Sequence, residues 1–203
     1  MDPKAWPPLA LLTAALLLGI RQWEARPLHP RDGVIAPADP VQSAVETAQR
    51  VRYGRWTLTP RAHYEITARI LGREDYRFDP LAELIPEDLA LGWGPMSDNR
   101  MLRGFEISQG ARFYEWRPRD NRPFVRADVI THSANTHVIP LDSIVRRELG
   151  RLRVGQVVRL TGTLVDAVRD DGAYIDTSLT RTDTGAGACE VMLVERVESP
   201  HLE

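Results

Sequence analysis

His132 and His137 stand five residues apart, separated by Ser133, Ala134, Asn135 and Thr136. Two imidazoles on one loop can converge on a divalent metal, with Asp98 or Asp183 completing the ligand set through a carboxylate. A metal held there would activate water for hydrolysis. The spacing differs from that of helical metal-binding pairs, whose histidines are about four residues apart. The plainer expectation is that Ser133, Asn135 and Thr136 hydrogen-bond local backbone and fix an irregular loop, with the histidines capping that network.

Asp183, Thr184 and Gly185 form the tripeptide on which aspartic proteases build a shared-proton carboxylate pair. Here the preceding Thr180, Arg181 and Thr182 are polar, and a second carboxylate would have to come from another chain. A tight turn that enters the last strand accounts for the glycines at 185 and 187 more simply. Those glycines lack the lysine and the following helix of a phosphate-binding loop. Ser97, His132 and Asp183 make up a nucleophile set by residue type, but no strand-turn-helix elbow surrounds Ser97.

Trp93 and Met96 lie among Gly92, Gly94 and Pro95. With Phe113, Tyr114 and Trp116 they supply apolar surface for a groove that takes a peptide, a glycan or a partner protein. The alternative is that Trp93 and Trp116 plug the end of a barrel. Arg112, Arg117 and Arg119 interleave with aromatics, a combination that also suits stacked single-stranded nucleic acid. The candidate binding set is therefore Trp93, Met96, Ser97, Asp98, His132, Asn135, His137 and Asp183, and the metal candidates are His132 and His137. Cys189, the one cysteine, permits no internal disulfide and is expected to be a small buried apolar residue.

These residues need elements to hold them. Arg61 to Leu71 alternates, with Ala62, Tyr64, Ile66, Ala68 and Ile70 on one side, and predicts a half-buried strand. Leu81, Leu84 and Ile85 precede Pro86, and Glu87 to Ala90 suits a first helical turn after proline. Strands are expected over 101–108 and 112–117, with a short piece over 125–130. Leu141, Ile144, Val145 and Leu149 form one helical stripe between Pro140 and Gly150. Val158, Leu160 and Leu164 mark the clearest strand, 154–167, in which Gly162 suggests a bulge. Asp170, Asp171 and Gly172 form a hairpin turn, and strands over 173–178 and 191–197 follow.

The chain has 203 residues, 43% hydrophobic and 27% charged, with a formal net charge of −2. That balance gives no general attraction to nucleic acid. Ala5 to Ile20 carries no charge and is bracketed by Trp6 and Trp23, as interface anchors are. It is close to the minimum of about 17 residues for a spanning helix. No small-residue cleavage site follows it, so a retained anchor is preferred over a cleaved signal. Arg21, Arg26 and Arg31 favour a cytoplasmic domain, whereas the short N-terminal tail favours export. Pro27, Pro30, Pro37 and Pro40 predict an extended linker that holds the domain off the bilayer.

The stretches Asp88 to Asp98, His132 to His137 with Ile139 and Pro140, and Ser178 to Glu190 together resemble a family of uncharacterised membrane-anchored proteins of Gram-negative bacteria. The resemblance implies a bacterial source and carries no activity or catalytic residue. The expected fold is α+β and β-rich: an N-terminal transmembrane helix followed by a small antiparallel barrel of OB-like form. The expected divisions are 1–23 anchor, 24–50 proline-rich linker and 51–203 globular domain. The expected function is a non-enzymatic, membrane-anchored binding or assembly module of the envelope. It has no cofactor, is held to the membrane by residues 5–20, and binds another envelope protein or a glycan rather than nucleic acid. The expected location is the inner membrane, single-pass, with a periplasmic domain. The rivals are a metal-dependent hydrolase using His132 and His137, and a nucleic-acid-binding OB-like domain.

Overall fold

The computed structural model describes residues 11–16, 19, 26–46, 49–185 and 187–200. The alternating run predicted over 61–71 is the middle of a longer strand, β3 (Trp56–Asp75), around which the domain is organised. One edge of β3 pairs along most of its length with β8 (Val157–Arg169). Its other edge pairs in succession with β2 (Val51–Tyr53), β1 (Val41–Ala44) and β4 (Glu87–Gly92). Register shifts at Pro60/Ala62 and Ile70/Gly72 mark bulges, which bend a strand and increase its twist.

From β4 the hydrogen-bonded ladder continues to β7 (Ser133–Pro140), then to β10 (Glu190–Glu198), then to β8, which pairs with β3. The domain is thus β-rich and dominated by this sheet. One pair, β7 with β10, is parallel, so the expectation of a purely antiparallel sheet is corrected. Parallel neighbours need a crossover. It is supplied here by the helix predicted from the Leu141 to Leu149 stripe, together with β8 and the short β9 (Tyr174–Ile175).

That helix, here α3, spans Ser143–Leu149 and is capped by the Asp142 carboxylate, which accepts from the Ile144 and Val145 amides. Its buried side chains, Val145 and Leu149, join Tyr64, Ile66, Ile70, Leu89, Leu91, Val138, Leu160, Leu164 and Met192 in the main core. The predicted bulge residue Gly162 sits where β10 crosses closely: a β-carbon there would lie 2.1 Å from the Leu193 carbonyl oxygen.

Between β4 and β7 the chain makes a long excursion. A 3-10 turn (Gly94–Ser97) and α1 (Asn99–Leu102) lead into a two-stranded hairpin, β5 (Phe105–Gly110) and β6 (Phe113–Pro118), followed by α2 (Arg126–Thr131). The short strand expected over 125–130 is therefore helical. Phe105, Trp116 and Phe124 meet edge to face, with centroids 5.0 to 5.8 Å apart, and close the base of the hairpin.

Two stretches read as helix or loop are strands. Glu87 to Ala90 belongs to β4, and all six residues of β4 are buried. The carboxylates that suited a first helical turn are instead paired within the fold, Glu87 with Arg73 and Asp88 with Arg112 and His137. Ser133 to His137, expected as an irregular loop, is the first part of β7. Ser133 does donate to local backbone, the Val129 carbonyl, but Asn135 and His137 are held by partners distant in sequence.

The proline-rich stretch is extended, as its prolines dictate, but its described part is laid against the domain rather than free. Leu28 and Val154 share a backbone hydrogen bond, as do Gly94 and Ala36, and Ala36 is fully buried. β1 within it pairs with β3. Among the described residues no helix is long and apolar enough to cross a membrane. Residues 11–16 and 19 are helical, and the rest of the expected anchor at 5–20 lies outside the described residues.

Candidate functional site

Asp88 and His137 are directly opposed in the β4–β7 ladder, and His137 is paired in turn with Val191 of β10. Cys189 stands in the bend just before β10, beside Asn135 and His137 of β7. A carboxylate, an imidazole and a thiol thus lie in a row across β4, β7 and the entry to β10. His137 Nδ1 lies 2.7 Å from Asp88 Oδ1. Cys189 lies beside the ring and, after Asp88, favours its charged form. Burial pushes the imidazole down, but Asp88 and then Cys189 outweigh it and raise His137 to about 9. At neutral pH His137 is therefore an imidazolium, and Nδ1–H donates to Asp88.

Asp88 is completely buried, and its charge has a second partner. Arg112 reaches from the β5–β6 turn to Asp88 at 3.2 Å and to Asp79 at 2.7 Å, while its guanidinium stacks 3.7 Å above the Tyr76 ring. Arg112 adopts a left-handed φ of 70°, as does Ala111 at 50°, and this tight turn aims the guanidinium inward. Asn135, two residues before His137 and on the same face, completes the cluster. Its amide nitrogen donates to the Arg112 carbonyl at 3.1 Å and lies 3.7 Å from Cys189 Sγ, while its oxygen accepts from Gln109.

Cys189 is not sealed in. It is partly exposed and lines a cleft of about 520 Å³ together with Asn135, Tyr114, Trp116, Asp183 and Gly185. One wall is the face of the β5–β6 hairpin, with Phe113, Phe124, Arg117 and Arg126. The floor is the start of β7, and the opposite wall is the turn before β10. The thiol faces the cleft, the imidazole is nearly buried, and the carboxylate lies deeper still.

Of the residues singled out from sequence, Asn135 and His137 belong to the buried row, while Phe113, Tyr114, Trp116, Arg117, Asn135 and Asp183 line the cleft. Asp183 accepts from Ser178 Oγ at 2.6 Å, in the tight turn expected there. The other candidates lie elsewhere. Trp93 is 1% exposed and packs in the main core, where its indole N–H donates to Asp39 and Arg181 lies over its ring and that of Tyr64. Met96 is fully buried with Leu71, Phe105 and Val129. Neither lines the cleft, because the 3-10 turn tucks both inward.

Ser97 and Asp98 hold the proline-rich strap. Ser97 Oγ accepts from the Ile35 and Ala36 amides and donates to the Gly94 carbonyl. Asp98 accepts from the Gly33 and Arg100 amides. Its partial burial raises its pKa, but the Arg100 side chain and these amides outweigh that and hold it at about 2.

The His132–His137 metal pair is corrected. His132 caps the C-terminus of α2 while His137 lies within β7, and the two rings have separate partners. His132 turns to the Asp128 carbonyl at 2.9 Å and packs over Gly94. Among the described residues no group of three His, Cys, Asp or Glu side chains is placed to hold a metal ion. Ser97, His132 and Asp183 likewise have separate partners and form no nucleophile set.

Asp88, Arg112 and Cys189 were missed as a site. Asp88 read as a helix-start carboxylate and Cys189 as packing. Both fall within stretches that carry the family resemblance, and that was the only signal the sequence offered. No family model, curated protein or solved structure matches the chain.

Proposed function

We propose that the chain is a membrane-tethered binding module of the bacterial envelope, built on an OB-like barrel, whose ligand site is the cleft over β7. The order β3–β4–β7–β10–β8 and back to β3, with a helix between β7 and β8, is the strand order of OB-like, partly open barrels. Such barrels take oligosaccharides and oligonucleotides on the face of their second and third strands, beside the loop joining the fourth and fifth. Here those elements correspond to β4, β7 and residues 170–189. The observation that carries the proposal is that the 520 Å³ cleft lies over the start of β7 and against residues 183–189 of that loop.

The lining favours a glycan. Phe113, Tyr114, Trp116 and Phe124 offer ring faces, while Asn135, Asp183, Glu115, Arg117 and Arg126 offer donors and acceptors of both charges around them. Mixed charge and a net charge of −2 are a poor match for a phosphate backbone. The uncharged stretch 5–20 and the family resemblance support the tether and the envelope location, with the domain on the periplasmic side.

Two measurements test this. A compartment-dependent reporter fused after Glu203 should be active in the periplasm, and activity in the cytoplasm would refute the location. Titration with peptidoglycan-derived oligosaccharides should shift the amide resonances of 113–118 and 183–189 in an NMR spectrum, and Trp116→Ala should abolish the response. Shifts produced by single-stranded oligonucleotide or by envelope protein alone, with none from sugars, would overturn the glycan assignment.

A further inference from the structure

Cleft residues that bind a sugar do not need a buried acid and a buried imidazole aligned behind a thiol. We infer that Cys189 is a nucleophile for acyl transfer, with His137 as its acid–base partner, Asp88 as the residue that positions His137, and a carboxylic ester or thioester as the substrate class. The inference stands independently of what else the cleft binds.

Each group occupies the place its role needs. The thiol faces the cleft, where an acyl carbonyl can reach it. The imidazole lies immediately behind it, with Nδ1 committed to Asp88 at 2.7 Å, which leaves the other ring nitrogen for the thiol and its substrate. A carboxylate so placed fixes the ring's orientation and stabilises its charged form. Arg112 meets the same carboxylate oxygen, Oδ1, at 3.2 Å and so helps to hold Asp88 in place against the ring. The Asn135 amide nitrogen lies 3.5 Å from Asp88 Oδ2 and 3.7 Å from Sγ, and so ties the thiol to the carboxylate end of the row. The three side chains form a row rather than a ring around a common point. Proton movement needs a row; metal chelation needs convergence.

The reaction balances without a further co-reactant except water. The Cys189 thiol gives its proton to solvent, and its sulfur attacks the carbonyl carbon and forms a C–S bond. The ester C–O bond, or the thioester C–S bond, breaks, and the leaving group departs with the electron pair and takes a proton from the His137 imidazolium. Neutral His137 then removes a proton from water, which attacks the acyl-cysteine. The carboxylic acid leaves, Cys189 regains its proton from solvent, and the imidazolium is restored.

The full chain, purified in detergent, is treated at pH 7 with p-nitrophenyl acetate in one arm and an acetyl thioester of a small thiol in the other. Intact and peptide mass spectrometry follow acetyl transfer. The native chain should acquire one acetyl group, on Cys189, at least about tenfold faster than the same chain unfolded in urea, and then lose it to water. Cys189→Ser should remain unmodified at that position on the same timescale. His137→Gln, verified as folded by circular dichroism, should slow acetylation by about 100-fold. The arm that reacts names the acyl donor as ester or thioester. Acetylation of native Cys189 no faster than in the unfolded chain, with both donors, overturns the assignment whether or not the His137 variant folds. So does an undiminished rate in folded His137→Gln.

Discussion

His137 Nδ1 and Asp88 Oδ1 are 2.7 Å apart across a directly opposed pair of the β4–β7 ladder, in a site where Asp88 is completely buried. The contact does two things at once. It joins the two strands through their side chains as well as their backbones, and it fixes the protonation state of the ring that faces Cys189.

Stability should therefore depend on pH through His137. Its folded value of about 9 exceeds the ordinary 6.5, so its contribution is complete below about 6.5 and is lost as pH rises through 9. Thermal unfolding from pH 6 to 10 should show His137→Gln less stable than the wild type by about 3 kcal/mol at pH 6, with the gap closing by pH 10. A gap that is independent of pH would mean that the ring is neutral in the folded protein.

Glu87 should act in the same direction, over a lower pH range. Burial raises it to about 8 against the pull of Arg73, so the folded state holds a proton that the unfolded state releases above about 4.5. Stability should fall between pH 4.5 and 8 for this reason alone. Glu87→Gln should flatten that part of the profile in urea titrations, and an unchanged slope would place the proton elsewhere.

Ser97 should control the strap. Its hydroxyl satisfies two backbone amides of residues 35 and 36 and one carbonyl of the 3-10 turn. Ser97→Ala leaves those groups without a partner and should cost about 2 kcal/mol. Hydrogen exchange should speed up at Ile35 and Ala36 first, while β3 and β8 keep their protection. Uniform acceleration throughout the domain would show that the strap does not open separately.

Arg112 should be needed for the fold of the cleft. Its loss leaves the buried Asp88 carboxylate with His137 as its remaining ion-pair partner and takes the ion pair from Asp79. Arg112→Gln should destabilise by about 3 kcal/mol, and combining it with Asp88→Asn should recover part of the loss. Strictly additive losses in that double-mutant cycle would deny the coupling.

Much of the frame was legible along the chain. Ala62 to Ile70 alternates because one face of β3 lines the main core. The stripe at Ile144, Val145 and Leu149 marked α3, although Ile144 and Leu141 proved largely exposed. β4 and β7 were not legible, since a strand buried on both faces shows no alternation and these two carry charged and polar residues besides. Glu87, Asp88, Asn135 and His137 look like surface chemistry until Arg73, Arg112 and Gln109 are brought to meet them.

The sequence by itself determined which stretches are strand or turn wherever periodicity or a local signal such as Asp142 or Gly172 sufficed, because those depend on neighbours a few residues away. Only the tertiary structure decided the site. Asp88 and His137 face each other because the register of β4 on β7 puts them there, with Cys189 joining them from the bend that enters β10, and a shift of one residue would turn His137 away. That register is set by pairing between segments about 50 residues apart, and no local pattern encodes it.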